Sequence, residues 1–72
     1  MKYDELPARL QCQAIEMVMD FCQYAIDDAA KNNGTKPWKV NKDSIEVQDI
    51  LEEWEFEIDI DEITGEEILS RV

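Results

Sequence analysis

The sequence predicts an α+β fold: a long N-terminal helix, a second shorter helix, and a C-terminal two-stranded antiparallel β-hairpin. Three observations carry that expectation. No Gly or Pro interrupts Ala8 to Asn33, the apolar period changes from helical to strictly alternating at Trp54, and a turn-forming segment follows at Asp61–Glu66. Seventy-two residues leave room for one domain, 1–72. A chain of this length buries only about 60% of its unfolded surface, so a second subunit or another staple is a common need.

The first helix has clear ends. Pro7 suits a first turn, with Asp4 and Glu5 where the helix dipole favours acids. Asn32-Asn33-Gly34 is a stop signal, with Gly34 able to take a left-handed cap and Pro37 following. Steps of about 100° per residue place Arg9, Gln13, Glu16, Asp20, Gln23 and Asp27 on one polar stripe. Ile15, Val18, Met19, Cys22, Ile26 and Ala29 form an apolar face, and Leu10, Ala14, Met17, Phe21 and Tyr24 a second apolar ridge beside it. This arc is wider than the roughly 100° that one surface helix needs. Either the domain wraps it, or Leu10, Met17, Phe21 and Tyr24 face a second copy in a homodimer.

Thr35–Val40 reads as a linker with room for a short strand, and Trp38 within it as a core lid or a partner anchor. A second helix is expected from Asp43, capped by the Asp43/Glu46 pair. Val47, Ile50, Leu51 and Trp54 supply its i, i+3, i+4, i+7 stripe. Trp54 to Asp61 then alternates apolar and acidic, the pattern of a half-buried strand. Asp61–Glu66 can form a turn with Gly65 in the left-handed region, and residues 67–72 a return strand. The competing reading makes Thr64 a helix cap and 66–71 a last short helix; the hairpin is preferred.

Charge divides the chain. Residues 1–42 hold six acids and six bases, and residues 43–72 hold twelve acids and only Arg71, so the second part carries the whole net charge of −11. Such asymmetry disfavours nucleic acid or an anionic membrane as direct partners and favours a basic protein surface. The candidate partner-binding residues are Glu46, Asp49, Glu52 and Glu53 on the second helix with Glu55, Glu57, Asp59 and Asp61 on the strand.

Catalytic constellations are missing from the sequence. It has no His, no glycine-rich phosphate loop, and no activating partner for Cys12 or Cys22, which read as buried structural thiols. Ten residues apart on one helix, roughly 15 Å by helical rise, they cannot bridge each other. Free thiols, with no apolar leader at the N-terminus, suit the cytoplasm. The carboxylates around the turn depart from the EF-hand pattern, since Ile63 falls on a ligand position and Gly65 one residue late. Neither a cofactor nor a metal is therefore expected, nor enzymatic activity.

Size, charge and the Glu55–Asp61 acidic strand give the chain a resemblance to the small acidic inhibitor proteins of phages, including DNA mimics. What the resemblance implies is occupation of a nucleic-acid groove on a host protein. Four alternating acids on one strand span roughly 20 Å. That is sparser than a duplex, with one charge per about 1.7 Å, and a helix flank or a second copy would raise the density. The expected function is thus a protein-binding inhibitor or regulator that engages a basic, nucleic-acid-binding partner. The alternative is an assembly module that self-associates through the first helix.

Overall fold

The computed structural model describes residues 1–72 and has the α+β architecture. After a single 3-10 turn at Tyr3–Glu5, helix α1 spans Ala8–Asn33, helix α2 Ile45–Glu53, strand β1 Phe56–Ile60 and strand β2 Glu67–Arg71. The two strands form one antiparallel ribbon.

Helix α1 begins on the Pro7 carbonyl, which accepts from Leu10 and Gln11 at 2.9 Å. It ends at Gly34, whose φ of 68° lets its N–H and that of Thr35 turn back to the Ala30 carbonyl. Leu10, Ala14, Val18 and Cys22, four residues apart, are the buried stripe. This stripe runs between the two apolar ridges read from the sequence. Ile15, Met17, Met19 and Ile26 pack beside it half-buried, while Phe21 and Tyr24 stay open. The domain therefore wraps the middle of the apolar arc and not its rim.

The linker after α1 forms no strand. Instead the Gln23 side chain holds it as a strand partner would, donating to the Trp38 carbonyl at 3.0 Å and accepting from the Val40 N–H at 3.2 Å. Val40 is thereby pinned into the core, while the Trp38 side chain is exposed.

Helix α2 starts two residues later than expected, with Ser44 as its cap residue. The Asp43/Glu46 capping box does not form. The Asn41 side chain instead accepts from the Asp43 N–H at 2.8 Å, and Ser44 Oγ accepts from the Asn41 N–H at 3.0 Å. This local side-chain turn competes for the backbone groups that a cap at Asp43 would have used. Val47 and Leu51 face α1, fully buried, and Trp54 closes the helix by donating to the Ile50 carbonyl.

The hairpin reading of 61–72 holds. Asp61 Oδ1 accepts from the N–H groups of Ile63 and Thr64, and Gly65 has φ 74°. In the ladder Glu57 faces Ser70, Ile58 faces Leu69 and Asp59 faces Ile68. Phe56 and Leu69 enter the core, but burial fades along β1 until Ile60 is 68% exposed. The far end of the ribbon is thus open on its β1 side, while on its β2 side Glu67 pairs with Arg9 of α1.

Candidate functional site

The pleat of β1 sends Glu55, Glu57, Asp59 and Asp61 to one face and Phe56, Ile58 and Ile60 to the other. Residues directly opposite in the ladder share a face. The acidic face therefore takes Ser70 and Ile68 from β2, and neither acid nor base. Arg71 and Glu67 fall on the inner face. There the Arg71 guanidinium stacks over the Trp54 ring, 4.0 Å from its centroid, and Glu67 pairs with Arg9 of α1.

Compensation for the acid, absent within the second part of the sequence, arrives from the N-terminus. Met1 and Lys2 lie along the outer edge of β1, with Lys2 bridged to Glu55. The Met1 ammonium and Lys2 Nζ both stand 3.3 Å from the Glu55 carboxylate. The Lys2 hydrogen bond, then that of the ammonium, hold the Glu55 carboxyl below its ordinary range. Lys2 also donates to the Glu53 carbonyl at 3.1 Å, where a cation complements the C-terminal end of α2. A positive charge thus stands at the junction of α2 and β1, and it separates the expected acidic surface into two patches.

The eight expected residues therefore differ in what they can do. Glu55 is engaged, and half-buried Asp61 spends an oxygen on the turn. Glu57 and Asp59 are exposed and meet no base. Glu46, Asp49, Glu52 and Glu53 are exposed on the outer arc of α2 but splay apart. Glu52 borders a hollow with Lys2, Tyr3 and Asp4, whereas Glu46 borders the α1–α2 cleft.

That cleft, about 160 Å³, is lined by Phe21, Cys22, Ala25, Ile26 and Ile50 besides Glu46. Of the four residues expected to drive self-association, Phe21 (45% exposed) and Tyr24 (73%) are available. Leu10, 1% exposed, is core and is withdrawn from that surface, and Met17 is half-buried against the same core. Both cysteines are free, but only Cys22 is buried; Cys12 is exposed, against the expectation. Burial, and then the nearby Glu46 charge, push the Cys22 thiol up from its ordinary value.

No set of three or more His, Cys, Asp or Glu side chains is gathered as metal ligands. No helix is long and apolar enough to cross a membrane. The pairing of Met1–Lys2 with β1 and the clamp by Gln23 have no local sequence signal, because Met1, Lys2 and the linker that Gln23 holds show no strand pattern of their own. No protein-family model, curated protein or solved structure matches the chain.

Proposed function

We propose that this chain is a non-enzymatic, cytoplasmic inhibitor or regulator whose exposed carboxylates engage a basic surface on a partner protein, of the kind that binds nucleic acid. The observation that carries this reading is the state of Glu57 and Asp59. The bases that reach the ribbon are consumed at Glu55, at Glu67 and over Trp54, and these two acids remain open to solvent. Like charges two residues apart on one strand, about 6.6 Å, cost stability without an internal return. The net charge of −11 would steer a cationic partner and make association fast and salt-sensitive. Imitation of a duplex would draw on both acidic patches, and on two copies more readily than one.

The double variant Glu57→Lys/Asp59→Lys tests the reading. In capture from lysate with a rising salt gradient, partners held by the acidic face leave early from the native protein and are lost from the variant. Equal capture by both proteins at low and high salt would sink the proposal.

A second reading rests on the open face of α1, where Phe21 at the α1–α2 cleft and Tyr24 outside it leave apolar area uncovered. There the chain would be an assembly module and the acid only a solvated face. Sedimentation at micromolar concentration separates the two, since a strict monomer removes the basis for the second.

A further inference from the structure

An unpaired sheet edge is a template for another extended chain. The ladder of β1 with β2 runs through its odd-numbered residues. Val72 donates to the Glu55 carbonyl at 3.0 Å, and Asp61 to the Glu66 carbonyl at 2.8 Å. By the alternation of an antiparallel pair, Phe56, Ile58 and Ile60 turn their N–H and C=O groups to the opposite edge. At Phe56 that edge is filled by Met1, through reciprocal bonds of 2.7 and 2.6 Å. At Ile58 and Ile60 no backbone group of the chain meets it.

The occupied end shows the chemistry the edge accepts. Lys2 sits opposite Glu55 and its ammonium closes on that carboxylate. The next acids on the same face are Glu57 and Asp59, exposed and without a base, while the other face offers half-buried Ile58 and exposed Ile60. A second copy is a poor occupant. Two β1 strands paired edge to edge would set Glu57 and Asp59 against their own kind, and like charges on facing strands destabilise a sheet.

We propose that a partner's basic segment adds as an extended antiparallel strand along Glu57–Ile60, with Lys or Arg opposite Glu57 and Asp59 and apolar residues opposite Ile58 and Ile60. The inference rests on the reading of the acidic face as a binding surface, and it names the mode of binding. The segment needs only about four residues, roughly 13 Å of strand. Backbone bonds would supply affinity and the alternating side chains the selectivity.

Capped peptides of alternating Lys and Val test it, beside a peptide of the same composition with Lys and Val in blocks. A third peptide carries N-methyl groups on the Val amides that would donate to Ile58 and Ile60. The expected result is binding of the alternating peptide roughly tenfold tighter than either control, the weight of one or two lost hydrogen bonds. Amide exchange at Ile58 and Ile60 should slow on its addition. In the protein, Ile60→Pro removes an outward donor and no ladder bond, so it should weaken the alternating peptide alone; the N-methyl peptide carries the test should that variant not fold. Equal binding of all three peptides, lost in Glu57→Lys/Asp59→Lys, would overturn the strand addition and leave the acidic-face reading standing. No binding of any peptide at low salt would overturn both. Protection of Ile58 and Ile60 in a peptide-free dimer would overturn the proposal by giving the edge to a second copy.

Discussion

Met1 and Phe56, fifty-five positions apart, exchange two backbone hydrogen bonds, the Met1 ammonium donating to the Phe56 carbonyl at 2.7 Å and the Phe56 N–H to the Met1 carbonyl at 2.6 Å. Phe56 is among the largest fully buried side chains, so these bonds tie the chain start to the centre of the core. Acetylation of the N-terminus would keep a donor but remove its charge, and charge-assisted bonds are the stronger kind. We expect the acetylated protein to lose about 1 kcal/mol of stability, or about 5 °C in Tm for a domain of this size. Thermal denaturation of the two forms measures this, and equal midpoints would refute it.

Glu55 makes a pH prediction. Its folded-state carboxyl is held low by Lys2 and the ammonium, so ionised Glu55 favours the fold. That contribution is present above the ordinary carboxylate value of about 4.3 and is lost as pH falls through the lower folded value. The stability difference between the native protein and Glu55→Gln should be constant near neutrality and shrink toward zero in acid. Urea unfolding between neutral and acidic pH tests this; a difference independent of pH would contradict it.

How far the sequence could be read follows from the range of each interaction. Periodicity and stop signals are local, and they located α1 with its Gly34 cap, the Val47/Leu51/Trp54 stripe and the turn at Asp61–Gly65; Asp4 and Glu5, read as lying at the start of α1, form a separate 3-10 turn. The start of α2 was misread at Asp43, because the Asn41–Ser44 side-chain turn that displaces that cap leaves no mark on the apolar period. Helical period alone placed Leu10 and Tyr24 on one ridge, yet one is core and the other solvent, because the domain wraps the middle of the apolar arc and leaves Tyr24 on its rim. The acidic strand face was legible from alternation. Its neutralisation at Glu55 was not, because Met1 and Lys2 show no strand pattern and pair with residues more than fifty positions away.

The two thiols should separate in reactivity. Cys12 is exposed, whereas Cys22 is 5% exposed with its thiol pushed up by burial and Glu46. Thiolate is the reacting species, so both access and ionisation protect Cys22. A disulfide-exchange reagent should titrate one thiol quickly in the folded protein and the second only on unfolding. Cys12→Ser should remove the fast phase; a fast phase surviving that change would count against the assignment.

Trp54 joins every element of the core. Phe21 meets its ring edge-on at 5.2 Å, Phe56 lies at 6.2 Å, and Arg71 covers it. Trp54→Ala should cost about 3–5 kcal/mol, a large share of the total for a domain this small. Arg71→Ala should cost only about 1 kcal/mol, from lost cation–π attraction and packing. Chemical denaturation orders the two variants, and the opposite order would mean that Arg71 has a role beyond the ring.

Asp61 separates turn-making from binding. Its Oδ1 accepts at 2.8 Å from the Ile63 N–H and at 3.3 Å from the Thr64 N–H. Asp61→Ala removes both acceptor contacts and should cost about 1 kcal/mol, as loss of a cap does. Asp61→Asn keeps an acceptor oxygen while deleting the charge, so it should leave stability nearly intact. Glu57 and Asp59 have no such internal bond, and Glu57→Gln or Asp59→Asn should be neutral or slightly stabilising by relief of like-charge repulsion. The binding order should be the reverse, with Glu57 and Asp59 sensitive to neutralisation and Asp61→Asn tolerant. Stability and binding measured on the same four variants test this. Asp61→Asn binding as poorly as Asp59→Asn would place Asp61 in the partner surface after all.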